Sequence, residues 1–268
     1  MRSQNPEPAG LHWGHEERAI VVGDLHGCRE EFEDLLRELE YKPDRDRLVL
    51  CGDLVAKGPD SLGCLRLAKS LGAEATRGNH EHKVLGLESA VTADEAGAGE
   101  AANLKTAAGV GLRVNRGGQG SEHAVLMREL LDCPDLLQYV KQMPLYLSIP
   151  EEPAYVVHAG LLPGTTPDEN KDSDLMNLRN VVVGGDGKLV GSAAAGNGEP
   201  WASMWNGPEL VVFGHDAARG LQQYPQAIGL DSGCVYGGQL SAVTLPGRKI
   251  TSVAARRQYC PIKIKGRA

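Results

Sequence analysis

The chain has no apolar run approaching the roughly 18 residues that a membrane-crossing helix requires. Nor does it open on a signal core. MRSQNPEPAGLHWGHEE is polar and carries acidic residues, so neither a secretory leader nor a transit peptide is expected. No CxxC pair occurs. The six cysteines (Cys28, Cys51, Cys64, Cys133, Cys234, Cys260) are dispersed, several among apolar residues, which predicts buried free thiols rather than disulfides or a zinc knuckle. A basic excess is missing too. The formal net charge of −7 speaks against duplex nucleic acid or a membrane surface as partner, while leaving room for a local basic pocket. No internal repeat is evident. The expectation is a monomer in a reducing, cytoplasmic compartment. What is present suffices for a core: 268 residues, 41% apolar and 24% charged, describe an ordinary globular protein of one domain or at most two.

Residues 1–17 contain Pro6, Pro8, Gly10 and Gly14 and read as a flexible lead-in to a domain over 18–268. Ala19–Val22 is a short apolar strand, followed by a helix from about Cys28 to Leu39 with Phe32, Leu35, Leu36 and Leu39 at i, i+3, i+4 and i+7. Leu48–Cys51 is the second strand. Pro59 suits the first turn of a helix that carries Leu62, Leu65, Ala68 and Leu71 inward and stops at Gly72. Ala73–Thr76 is a weaker third strand, completing a βαβαβ unit with a parallel sheet. From Leu85 to about Ser121 the periodicity dissolves into Ala and Gly, which predicts a partly helical insertion with a mobile tip. Leu126–Leu131 and Pro134–Met143 read as helices, and Leu145–Ile149 and Ala154–Val157 as strands around the turn Pro150–Pro153. Residues 163–209 read mainly as loop, with a helical piece near Asp174–Val181. Leu210–Phe213, Ala227–Leu230, Leu240–Thr244 and Ile250–Val253 are the remaining strands.

Five of these strands end in polar motifs: GDLHG, GDLVAKG, RGNHE, HAGL and GHD. Taken singly, each is weak. His158 after an apolar strand is more often a core histidine than a ligand, His215 after Gly214 is little better, and GDLHG can be a tight turn. Five in order, each on its own strand end, point to one site at the sheet edge where ligands of open α/β folds collect. In an extended segment i and i+2 point the same way, so Asp24 and His26 can reach one ion. Carboxylates and neutral imidazoles suit manganese, iron, zinc or cobalt. Ions of two-metal sites stand roughly 3.5–4 Å apart, a span one carboxylate can bridge, and Asp53 has the central position for it. Asn79, His158 and His215 then complete a second set. His12, His15, His82 and His123 lie in polar stretches and are assigned to the solvated surface.

The order GDxHG, GDxVxxG, GNHE, HxG, GH resembles the calcineurin-like metallophosphoesterases of the phosphoprotein-phosphatase type, over roughly residues 19–245. The resemblance implies an α/β fold, a four-layer α/β/β/α sandwich with two mixed sheets. It implies two divalent ions, manganese foremost, the first on Asp24, His26 and Asp53 and the second on Asp53, Asn79, His158 and His215. A hydroxide formed on them would attack phosphorus in line. His80 resembles the family's general acid, with Glu81 as its structural neighbour, and Lys57 stands where most relatives carry a phosphate-binding Arg. Arg77 is a second candidate for phosphate.

Two departures narrow the reading. Protein phosphatases of this type read GDxVDRG, whereas this chain has Ala56-Lys57, so the carboxylate that would hold His80 is missing. A phosphoanhydride leaving group is a weaker base than an alkoxide and needs less help from an acid. The tail LDSGCVYGG is similar to that of the diadenosine tetraphosphatases, placing Asp231, Ser232 and Tyr236 at the pocket, with Tyr236 as a platform for a base. Together these point to the ApaH-like branch, some members of which read GDxVxKG. The expected substrate is a dinucleoside polyphosphate or a related capped nucleotide, including an RNA cap. A protein Ser/Thr phosphatase, a polyphosphatase or a silent phospho-ligand binder are the competing expectations.

Overall fold

Strand β1 (Arg18–Val22) shows how the sequence builds the core in the computed structural model, which describes residues 18–95, 121–149 and 152–261. Alternate residues of a strand face opposite ways. Ile20 and Val22 point to one apolar cluster and Ala19 and Val21 to another, and β2 (Asp46–Leu50) does the same with Leu48 and Leu50 against Val49. A strand buried on both faces reads as a continuous apolar run. Strands β1, β2 and β3 (Glu74–Ala75) are parallel. They are linked by α1 (Arg29–Glu38) and α2 (Ser61–Ser70), whose Phe32, Leu35, Leu65 and Ala68 are buried against them. Strand β12 (Gln239–Leu245) joins the other edge of β1 antiparallel, and β13 (Lys249–Ala254) follows it, giving the order β13-β12-β1-β2-β3.

Helices α3 (Asn79–Leu85), α4 (Glu88–Glu95), α5 (Glu122–Leu131) and α6 (Pro134–Gln142) extend the helical layer, and Met127, Leu130 and Val140 close the first cluster. The second sheet contains β4 (Tyr146–Ile149), β5 (Ala154–Val157), β9 (Leu210–Phe213), β10 (Gln222–Tyr224) and β11 (Ala227–Gly229), in the order β10-β11-β9-β5-β4. Its Val156, Leu210 and Val212 pack on Val21, Val49 and Val243 of the first sheet. Its outer face carries Val211 and Phe213 under Leu175 of α7 (Asp172–Asn177) and Trp201 of α8 (Trp201–Met204). Helix, sheet, sheet and helix are therefore four layers, each sheet mixed in direction.

Two stretches differ from expectation. The helical piece near Asp174–Val181 stops at Asn177, because the β-branched run that follows forms strand β6 (Asn180–Val183). Strand β6 pairs with β7 (Leu189–Ser192) and β8 (Glu199–Pro200) in a third, three-stranded sheet inside the segment read as loop. In the 85–121 insertion, Glu88–Glu95 is helical; residues 96–120 lie outside the described residues, as do the lead-in 1–17 and residues 150–151 of the predicted turn. Among the described residues no helix is long and apolar enough to cross a membrane, and all six cysteines are free thiols.

Candidate metal centre

Each predicted ligand stands just past a strand or at the start of α3, and the loops that carry them are held open by unusual backbone. His26, Asp53, Ala56, Lys57 and His215 have φ of 44°, 51°, 70°, 68° and 69°, a region non-glycine residues rarely occupy and one that concentrates at functional sites. Glycines let these loops meet. A Cβ on Gly214 would stand 1.9 Å from Asp24 Oδ1, and one on Gly78 would stand 2.2 Å from Asp53 Oδ1. Glu81, wholly buried, fastens the second loop to the third: its carboxylate accepts from the backbone N–H of Asp53 at 2.9 Å, Leu54 at 2.8 Å and Gly78 at 2.9 Å.

Asp53 sits at the centre. Its Oδ2 is 3.6 Å from His26 Nε2, whereas its Oδ1 is 3.5 Å from His158 Nε2. On the first side, Asp24 Oδ2 lies 3.9 Å from His26 Nε2. On the second, Asn79 Oδ1 lies 3.1 Å from both His158 Nε2 and His215 Nδ1. Two histidines are aimed by main-chain acceptors. Val55 O at 3.1 Å and Cys51 O at 2.8 Å take the Nδ1–H of His26 and His158, leaving each Nε2 lone pair facing inward. His215 Nε2 is buried with no hydrogen-bond partner in the protein.

These are acceptors facing acceptors. Turning the Asn79 amide would let its nitrogen donate to Asp53 Oδ2 at 3.3 Å and to both imidazoles at 3.1 Å. A cation between the same atoms satisfies them with the oxygen inward. With bonds of about 2.1 Å, neighbouring donors on one ion stand about 3.0–3.4 Å apart, close to the spacing seen here. Protonation states agree. Burial first, then Lys57, keeps the His26 imidazole well below its ordinary pKa, and burial lowers His158 to about 4, so both are neutral ligands at pH 7. Burial raises Asp53 to about 6 and, together with Asp231 and Asp53, lifts Asp24 well above the carboxylate range. A bound cation opposes that shift by favouring the charged carboxylates. The residues present thus fit two divalent ions that share Asp53.

The rim is cationic. Lys57 Nζ is 2.8 Å from His26 Nε2 and 5.4 Å from the ring centroid of Tyr236. Burial disfavours its charge, but Asp53 and Tyr236 outweigh burial and raise its pKa. Sequence reasoning missed two further cations. Arg179, in the turn between α7 and β6, donates to His215 O at 3.2 Å and lies 3.5 Å from buried Asp216 Oδ1. Lys83, one turn beyond Asn79, bears electrostatically on Asp53, as Arg179 does.

His80 lies beside the centre, its Nε2 4.0 Å from Asp53 Oδ2 and its backbone N–H donating to Asp53 Oδ1 at 2.9 Å. Two expectations are corrected. Arg77 does not turn toward the centre: its guanidinium donates to Lys141 O at 2.7 Å, at the end of α6, where that carbonyl lacks a helical partner. The Ser232 hydroxyl is engaged in a chain through Gln239 O and Ser241 Oγ, both at 2.6 Å. His123 is not a surface histidine but stands 3.0 Å from His80. A count of polar neighbours along the chain could not show this, because α5 returns His123 from 43 residues away.

Residues 17–219 match the family of calcineurin-like phosphoesterases. A symmetrical bis(5'-nucleosyl)-tetraphosphatase of Chromohalobacter salexigens is 30% identical, with 84% of this chain and 93% of that protein aligned. The asymmetrical enzyme of Halalkalibacterium halodurans is 27% identical, over 91% and 97%. A crystal structure described as a candidate diadenosine tetraphosphatase superposes with a TM-score of 0.71 at 39% identity, over 91% of this chain and 96% of that one. With the match spanning most of its length, the chain belongs to the calcineurin-like phosphoesterase family.

Proposed function

We propose that this chain is a dinuclear metal hydrolase that cleaves phosphoanhydride bonds in dinucleoside polyphosphates of the diadenosine tetraphosphate kind, or in related capped nucleotides and RNA caps. One observation carries the reading. The two oxygens of Asp53 face two separate sets of lone-pair donors, Asp24 and His26 on one side, Asn79, His158 and His215 on the other. When bound, two divalent ions, manganese first among those these donors suit, supply Lewis acidity and an activated water.

The chain's own residues do the rest. Lys57 and Arg179 neutralise phosphoryl oxygens at the rim, where a tetraphosphate brings several negative charges. Lys57 keeps the charge without the fork of an arginine, so it binds as a point charge. Tyr236 beside it offers a face to a base. His80 meets the leaving oxygen through Nε2. Burial, with His26 and Lys57, holds its proton affinity well below that of a free histidine, so it is a neutral imidazole that offers the leaving oxygen a hydrogen bond from Nε2–H, and a leaving phosphate asks for little more. The names of the similar proteins support the same substrate class.

The test is to offer manganese-loaded protein diadenosine tetraphosphate, inorganic polyphosphate and a phosphoserine peptide side by side. Turnover of the dinucleotide is expected, with two ADP marking symmetrical cleavage and AMP plus ATP asymmetrical cleavage. Turnover of the peptide alone contradicts it in favour of a protein phosphatase.

A further inference from the structure

Helix α5 does more than close the core. Its first two residues reach the centre from a distant part of the chain. Glu122 accepts from the backbone N–H of Lys57, and His123 Nε2 lies 3.0 Å from His80 Nδ1, the two imidazoles stacked at 5.0 Å and 25°. The helix is anchored for this by Leu126, Met127 and Leu130, all buried, with α3 as its neighbour. Among the described residues no carboxylate is placed against His80 Nδ1; its hydrogen-bond partner is His123. Position 56, in the adjoining loop, carries only a methyl group.

We propose that His123 is a positioning residue that holds the His80 ring so that its Nε2 meets the leaving oxygen. When His80 Nδ1 accepts from His123 Nε2–H, the His80 proton is held on Nε2 and the ring in one orientation, which is what a donor facing the leaving oxygen needs. Burial first, then Lys83, lowers the pKa of His123, and as a neutral imidazole it can carry its one proton on Nε2 and donate it to His80 Nδ1. The inference rests on the hydrolytic reading above.

Three variants separate the hydrogen bond from packing. His123→Phe keeps the stacking and loses the bond, His123→Gln places an amide where Nε2 stood, and His123→Ala loses both. The first readout needs neither metal nor turnover. Nitrogen NMR of imidazole-labelled, metal-free protein should show His80 in a single tautomer in the parent and His123→Gln proteins, and a mixture in His123→Phe and His123→Ala. The second is the dependence on leaving group in manganese-loaded enzyme. His123→Phe should lower kcat about 10- to 100-fold on a phenyl phosphoester, whose leaving oxygen is basic, and less than about 3-fold on the 4-nitrophenyl ester. Gln should restore most of the loss, with metal content unchanged throughout. An unchanged His80 tautomer in His123→Phe, or equal losses on both esters, overturns the proposal. A parent protein that hydrolyses neither these esters nor diadenosine tetraphosphate overturns the hydrolytic reading instead, and the NMR result then stands alone.

Discussion

The strand-end loops and the rim that surrounds them obey different rules. In the loops, Asp24 and His26 are two residues apart, and Asn79, His80 and Glu81 are consecutive; each motif is placed by the strand it follows. At the rim, Arg179 comes from the turn ahead of the third sheet, His123 from the first turn of α5, and Lys83 from one turn inside α3. The loops leave little room for change, because His26, Asp53, Ala56 and His215 sit in strained backbone and a Cβ on Gly78 or Gly214 would meet a carboxylate. The rim is assembled by packing and by exposed hydrogen bonds.

Breaking the loops should cost most. Asp53→Asn removes an oxygen charge that faces both donor sets, and should lose both ions and lower turnover about 10³-fold or more; metal analysis with a steady-state assay checks it. A variant with full metal content and turnover contradicts the bridging role. Rim changes should be smaller and leave the ions in place. Arg179→Ala and Lys57→Ala should each weaken binding of the anhydride about 10-fold, as a rise in KM with unchanged metal content, since each removes one charged hydrogen bond. Acid acts on the loops rather than the rim. Asp53 is raised to about 6 by burial, so protons compete with metal below that value, whereas the neutral imidazoles do not. Metal affinity, measured by calorimetry or by the metal-dependent rise in Tm, should hold at pH 7 and fall as pH drops through about 6. Smallest is Arg77→Ala. Its bond to Lys141 O gives it a structural role, so stability should fall about 1 kcal/mol with turnover unaffected.

The same contrast explains what was legible in the sequence. Strands buried on both faces announce themselves as apolar runs, and β5 and β9 fall on the expected residues, Ala154–Val157 and Leu210–Phe213. The cluster of side chains around Asp53 was legible because strand ends place their side chains locally. The third sheet was hidden by its turns, since Gly184, Gly185 and Gly187 make the β6–β7 hairpin look like loop. His123 was hidden by distance, and its polar neighbours suggested solvent. Arg77 misled for the opposite reason: it adjoins Gly78 in the chain, yet strand-end alternation turns it toward α6. Ala56 looked like a loss to His80, and the fold supplies an imidazole from α5 at that same ring.

The central claim is that one carboxylate joins two ions. A crystal grown with manganese, with diffraction recorded at the manganese absorption edge, tests it directly. The account predicts two anomalous peaks about 3.5–4 Å apart, one on each oxygen of Asp53, with His26 and Asp24 on the first and Asn79, His158 and His215 on the second. A single peak, or two that leave Asp53 without a bond to either, would contradict it.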